Sequence, residues 1–530
     1  MGAMPAHTFK VIESHKHDSA RAYFFELERT LLSETTQRQS IGDVEEALYT
    51  GMMELGRRLM QEHIDARGEG RVGEALLRED GRRFSKKRPG TRHLETLFGE
   101  VTVDRVGYRH PGEASIFPKD SQMALPKTLY SYPVQQKVCR EAIRSAYDAI
   151  DETLSEYTGA HVPKRQSLEV VTKAADDFEA FYQDRSSSAR STSLPGQPHE
   201  LSGEILVHTG DGKGIPMREE GLREATRKRA MKQKQSQRRS NAEKKHRKRE
   251  ALVASVYTVK PHVRTIDDIM ADFWGEAERN DTSPPRPEQK RVWASVSKEK
   301  DEIFQQMAEE GQSRVAGVTT AAFVCDGANI LQELAEKILQ PQFDGTDITF
   351  VIILDLLHVL GYLWKAALVF FPDGDRQTEA CVGKYLRMLL EGKTSVVAGV
   401  LRRMATQRNL QGTKRETVDK AADYFLNNKA YMHYERYLEL GLPIASGVIE
   451  GACKHLVKDR FEISGAHWGL EGAEALLKLR SMHQSGDWKD YWQFHIAHEQ
   501  ERLHQPHQWT PVGDVKKPKL TVIQGGKSGK

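Results

Sequence analysis

Two aspartates and one glutamate are the residues of this chain best placed for metal-dependent chemistry. Each aspartate closes an apolar run and precedes a glycine. They are Asp211, in Ile205-Leu206-Val207-His208-Thr209-Gly210-Asp211-Gly212-Lys213-Gly214, and Asp326, in Ala321-Ala322-Phe323-Val324-Cys325-Asp326-Gly327-Ala328. The glutamate is Glu450, near the start of a helical pattern in Ser446-Gly447-Val448-Ile449-Glu450-Gly451-Ala452-Cys453-Lys454-His455. Carboxylates held close together repel and take up protons unless divalent cations neutralise them. Hard oxygen ligands with room for water and phosphate suit Mg²⁺, with Mn²⁺ as a substitute. Two such ions activate an attacking water or 3′-hydroxyl and stabilise the departing 3′-oxygen of an in-line displacement. Taken singly, Asp-Gly after a strand is a turn and a helical glutamate is solvated. What selects these three is that one fold requires all of them.

Asp355 and His358 form Asp-x-x-His just after a later apolar run. Asp355 reads as a helix N-cap with His358 in the first turn, and it competes with Asp326 for the role of second aspartate. Strand order favours Asp326 as the ligand and leaves Asp355 and His358 as supporting or DNA-positioning residues. The run from Arg223 to Arg249 is the strongest electrostatic feature. It holds Arg227-Lys228-Arg229, Arg238-Arg239, Lys244-Lys245 and Arg247-Lys248-Arg249, opposed only by Glu224 and Glu243. Such a block repels itself and would order on a phosphate backbone with salt-sensitive, sequence-independent affinity. Lys454 and Arg460 add basic groups after Glu450. Trp468 is a candidate for stacking on an unpaired base, although such a tryptophan more often seals a helix junction.

The elements that must position these groups follow a recognisable order. Downstream of a serine-rich linker at residues 186–200, strands are expected over 205–208, 251–259 and 291–296. A helix over 298–309, a strand over 321–325, a helix over 329–339 and a strand over 349–354 complete the series. That order is the RNase H-like topology. Its first and fourth strands are neighbours, so Asp211 and Asp326, each ending its strand, emerge at one sheet edge, and Glu450 reaches them from a closing helix. About ninety mostly helical residues precede Glu450, too many for a loop. The expected fold is therefore multidomain α+β: an RNase H-like core at 201–358, an all-α insertion domain at 359–440, and closing and C-terminal helices at 441–505. An N-terminal helical region at 1–90 and a hairpin with a helix-turn-helix-like unit at 91–185 precede the linker, and a disordered basic tail at 506–530 ends the chain. Pro163 suits the first position of a helix whose opening residues Lys164, Arg165 and Gln166 would read DNA.

The composition sets the outer limits. A chain of 530 residues exceeds one simple core, and a net charge of only +3 makes local charge more informative than the total. Cys139, Cys325, Cys381 and Cys453 lie far apart, which fits neither a zinc ribbon nor a disulfide framework and points to a reducing, cytoplasmic compartment. No signal peptide pattern and no membrane-length apolar run is present, so no membrane partner is expected.

These residues resemble a known family, the bacterial insertion-sequence transposases of the ISKra group, relatives of the Mutator-like elements. The matching pieces are Asp211-Gly212-Lys213-Gly214-Ile215-Pro216-Met217, Val324 to Ala328, Asp355-Leu356-Leu357-His358 and Leu442 to Glu450. Arg460, Ser464-Gly465 with Trp468, and Leu479-Arg480 with Trp488 and Tyr491-Trp492 extend the likeness, which covers roughly residues 90 to 495. The resemblance implies a DDE triad of Asp211, Asp326 and Glu450 holding two Mg²⁺ ions. It implies double-stranded DNA as partner (transposon ends and target), a homodimer or higher multimer on DNA, and a nucleoid-associated location. The expected activity is binding of terminal inverted repeats, strand cleavage and strand transfer. The alternatives are a structure-specific nuclease with the same core and a non-catalytic DNA-binding derivative. The chain departs from many relatives in having no cysteine pair after the hairpin, at Val106 to Gly112.

Overall fold

A computed structural model describes residues 18–192, 204–232, 247–274, 284–504 and 509–513. Two compact units emerge, residues 171–491 and residues 1–170 with 492–530. Each mixes helix and sheet.

The larger unit is built on five strands: β1 (Ile205–Pro216), β2 (Lys248–Val259), β3 (Glu288–Ser295), β4 (Thr320–Cys325) and β5 (Thr349–Leu354). Their order across the sheet is 3-2-1-4-5. β2 is antiparallel to both neighbours, whereas β1, β4 and β5 run parallel. β4 and β5 are short and almost wholly apolar, as a sheet covered on both faces demands. Helix Lys300–Gln312 covers one face, where Gly311 lets the His208 ring approach so closely that a Cβ would lie 2.5 Å from Nε2. The other face meets the helices Leu356–Phe370, Arg376–Leu390, Thr394–Gln407, Gly412–Asn427 and Tyr434–Glu439. Val207, Ala322 and Ile353 from the sheet join Val359, Leu363, Leu386, Leu401 and Phe425 from these helices in one hydrophobic cluster. The helical segment thus shares its core with the sheet.

β1 differs from expectation. It runs twelve residues through the glycine-rich stretch to Pro216, because β2 keeps pairing with it as far as Pro216↔Lys248. Asp211 therefore lies within a strand and not at its end. Helix Phe178–Thr192 also runs into the expected linker, since the serines at 186–188 sit on a helix already started by packed aromatics at Phe178, Phe181 and Tyr182.

In the smaller unit, helices Asp18–Leu31 and Ile41–Ala66 accompany a hairpin of Lys86–Thr96 with Gly99–Arg109. The hairpin is longer than its apolar tip predicts, and the basic stretch from Lys86 to Arg88 is part of it. Trp509–Val512 pairs with Ala75–Arg78, so the tail is ordered at that point, where backbone pairing supplies what composition does not. Residues 1–17 and the expected disordered tail beyond 513 lie outside the described residues. All four cysteines are free and buried. No helix among the described residues is long and apolar enough to cross a membrane.

His208 generates a pH test. Burial pushes its pKa from 6.5 down to about 4, and Nδ1 has no hydrogen-bond partner. The unfolded chain takes up a proton that the folded chain refuses until the lower value, so stability is lost as pH falls through this window. We expect a loss of about 3 kcal/mol between pH 6.5 and 4, read from denaturant midpoints. His208→Gln should flatten that slope, and an unchanged slope would mean another group sets it.

Candidate metal centre

Parallel register brings three aspartates into one row. Thr209 pairs with Val324, and Val324 with Ile353. Two residues further along each strand stand Asp211, Asp326 and Asp355. Alternation places them on the face already carrying Val207 and Ala322, with neighbouring strands roughly 4.8 Å apart. β2 continues beside Asp211, while β4 and β5 stop just before Asp326 and Asp355.

Each acid is held differently. Lys213 Nζ donates to Asp211 Oδ2 at 3.0 Å, and Cys453 Sγ donates to the same oxygen at 3.3 Å. Asp326 Oδ1 accepts the Ala328 N–H at 3.0 Å, and its carbonyl accepts the Tyr424 hydroxyl at 2.9 Å. Gly327 has φ +84°, and a Cβ there would lie 2.8 Å from Leu354 and 3.0 Å from Tyr424. Only glycine fits this turn.

Asp355 is fully buried. It caps helix Leu356–Phe370, with Oδ1 accepting the Leu357 N–H at 2.8 Å. Oδ2 accepts the Ser446 N–H at 3.3 Å and the Ser446 hydroxyl. Burial would raise its pKa, but the contacts with His358, Ser446 and Leu357 hold it below the usual carboxylate range. His358 Nδ1 lies 3.4 Å from Oδ2. That contact raises the histidine's pKa against its burial, and the charges of Asp326 and Asp211 add to the rise.

Ser446 N-terminally flanks helix Gly447–Ala452, which carries Glu450 one turn on and continues as a π turn over Cys453–Lys458. One ligand atom from each of Asp355, His358 and Glu450 lies within 4.8 Å of the other two. Among the described residues this is the group that converges most closely. Asp211 and Asp326 stand in the same row outside that limit. The carboxylate oxygens suit a hard divalent cation, whereas the imidazole nitrogen is a ligand for transition metals. A cation supplied by the chain itself, the Lys213 ammonium, already sits on Asp211.

The remaining candidates separate by exposure. Arg227, Lys228 and Arg229 are exposed on helix Glu224–Lys232, with Lys228 paired to Glu224. Arg238, Arg239, Lys244 and Lys245 lie outside the described residues. Arg247 is half-buried, and Lys248 pairs with Glu462. Arg249 is half-buried and donates to the Val296 carbonyl at 2.7 Å and to that of Gly221 at 3.4 Å. Arg460 and Trp468 are 2% and 7% exposed, and the Trp468 indole donates to the Phe461 carbonyl at 3.2 Å. Lys454 is exposed on the glutamate's own helical stretch. Lys164 pairs with Asp148 and Arg165 with Glu169, both at the surface, and Gln166 is half-buried beside them. Sequence reasoning missed Lys213, Cys453, Ser446 and Tyr424. Lys213 and Cys453 had a usable signal: one is two residues from Asp211 along a strand, the other three from Glu450 along a helix.

No protein-family model matches this chain, and no curated protein matches it. Among solved structures it is similar to a Drosophila P element transposase strand transfer complex, at 9% identity and a TM-score of 0.23 over 72% of this chain and 85% of that one. A superposition this loose carries no argument.

The Asp326 turn gives a second test. Gly327→Ala should cost about 1–3 kcal/mol by forcing a side chain into a left-handed conformation against Leu354 and Tyr424. Tyr424→Phe, which removes one hydrogen bond, should cost about 1 kcal/mol. Thermal unfolding of both variants checks the order, and equal losses would show that Gly327 is not confined.

Proposed function

We propose that this chain is a DDE-type DNA transposase, as its likeness to the ISKra group implies. It would bind the terminal repeats of its element, cleave DNA strands and join the freed 3′-ends to a target. In this reading the five strands and the Glu450 helix are an RNase H-like catalytic core, and residues 359–440 are its helical insertion. The observation that carries the reading is the row Asp211, Asp326, Asp355 at successive parallel strands, with Glu450 converging on it from a later helix.

Asp211, Asp326 and Glu450 would hold two Mg²⁺ ions, with Mn²⁺ as a substitute. When bound, the ions supply activation of a water or 3′-hydroxyl and stabilisation of the leaving 3′-oxygen. Asp355 acts differently, because both its oxygens already accept hydrogen bonds from the chain. It fixes the Glu450 helix against the strand ends and orients His358. The exposed Arg227, Lys228 and Arg229 would grip phosphates of double-stranded DNA without reading sequence. The helix opening with Lys164, Arg165 and Gln166 would supply base contacts, and a multimer would bring two ends together.

The decisive experiment is cleavage of duplexes carrying the element's own ends, in Mg²⁺. Asp211→Ala, Asp326→Ala and Glu450→Gln should each abolish cleavage while end binding stays within about threefold, since the phosphate contacts remain. Wild-type cleavage by any of them removes that residue from the triad. Asp355→Ala should leave more metal binding than Asp326→Ala, and the reverse order would exchange their roles.

The basic helix is tested separately. Replacing Arg227, Lys228 and Arg229 with glutamine should weaken binding to every duplex. The salt slope should fall by roughly 0.9 for each phosphate that is no longer neutralised. A loss confined to the cognate ends would instead make this helix a reader of bases.

A further inference from the structure

Lys213 stands two residues beyond Asp211 on the same strand, so both side chains leave the same face. Its ammonium lies 3.0 Å from Asp211 Oδ2, and Cys453 Sγ reaches that same oxygen. The Asp211 side chain is only 13% exposed, whereas that of Lys213 is 44% exposed. The acid is thus fixed inside the site, and the lysine enters from its mouth on a long flexible stem. Glu450 adds to the negative field around the ammonium.

We propose that Lys213 is a built-in countercation that occupies Asp211 until a divalent ion displaces it, and that the displaced ammonium then binds the phosphate of the DNA strand entering the site. The proposal rests on the metal-centre reading above. A divalent ion sits roughly 2.0–2.1 Å from a carboxylate oxygen. An ammonium hydrogen-bonded to that same oxygen would face the ion across a few ångströms with like charge. One of the two must leave. The ion is held by several acids and the lysine by one, so the lysine moves. Its stem keeps it beside the cluster, where the nearest new anion is the DNA backbone.

Two consequences follow. Without metal, the lysine neutralises part of the acid row and opposes metal entry. With DNA present, phosphate draws the lysine away and metal binds more tightly, and by linkage metal strengthens DNA binding by the same factor. Metal loading and DNA capture become coupled through one side chain.

The test is Mn²⁺ binding to the full chain, followed through the free-ion paramagnetic signal, with and without a short random-sequence duplex. Lys213→Met keeps the stem and removes the charge. It should bind Mn²⁺ about fivefold more tightly than wild type in the absence of DNA, the scale of a partly exposed ion pair. It should also lose most of the tightening that the duplex gives wild type. Lys213→Gln repeats the comparison with a polar side chain, so that poor folding of one variant does not decide the outcome. Unchanged or weaker Mn²⁺ affinity in a folded variant overturns the proposal, as does a duplex effect equal to wild type. Asp211→Asn separates the metal centre from the role of Lys213. Wild type that binds Mn²⁺ no better than Asp211→Asn refutes the metal centre itself. A loss in Asp211→Asn with no gain in Lys213→Met refutes only the role of Lys213.

Discussion

The buried carboxylate of Asp355 is the interaction on which the geometry of the site depends. A carboxylate removed from water is costly unless hydrogen bonds replace its hydration. Here the Leu357 N–H, the Ser446 N–H and the Ser446 hydroxyl do so, with His358 adding charge. The same contacts join two pieces of chain far apart in sequence: the junction between β5 and the next helix, and the residue flanking the Glu450 helix. Glu450 is one turn from Ser446, so its position is set through this anchor. Asp355 therefore shares the row of Asp211 and Asp326 while serving a different purpose. Both its oxygens accept hydrogen bonds from the protein, while Asp211 is met by a half-exposed lysine and a thiol.

The long helical segment makes sense against that anchor. β5 is the outer strand of the sheet and would expose unpaired carbonyls. Tyr434 donates to the Leu354 carbonyl at 2.9 Å and Tyr437 to that of Ile352 at 3.3 Å. Tyr424, stacked on Tyr362 with ring centroids 3.9 Å apart, holds the Asp326 carbonyl. Asn428 links the same helix to Gln332 at 2.7 Å. The segment covers the sheet edge and fixes the turn that presents Asp326, so the backbone carrying two of the three aspartates cannot move independently of it.

Much of this was legible in the sequence where one physical signal dominated. The run Thr349–Leu354 is apolar and bounded by turn residues, and it is a strand over the expected range. Asp355 as an N-cap followed from its place before a helical pattern. Legibility failed where tertiary partners override local preference. Gly210 to Gly214 reads as a turn, but β2 pairs with it throughout. Ser186 reads as linker, but it continues a helix nucleated by packed aromatics. Arg460 reads as a surface group because sequence gives charge but not depth, whereas for Trp468 the sequence left both stacking and burial open. The Arg460 guanidinium lies 4.9 Å from the Trp468 ring centroid in the interior, a cation–π pair that no spacing rule reveals.

The glycine-rich strand is where sequence and chemistry meet most closely. Gly-Asp-Gly-Lys-Gly alternates reactive and absent side chains with the period of a strand. On one face Asp211 and Lys213 form an acid–cation pair that Cys453 completes. On the other face a Cβ at Gly212 would come within 2.8 Å of the Glu250 carboxylate, and one at Gly214 within 3.0 Å of the Lys248 stem. Glu250 and Lys248 are themselves tied to Lys300 and Glu462, so neither can retreat without breaking an ion pair. A side chain at Gly212 would displace the Glu250 carboxylate, and one at Gly214 would crowd the Lys248 stem. The bare glycines leave that face to the Glu250 and Lys248 side chains and their ion pairs, while the opposite face of the same strand carries the acid and its cation.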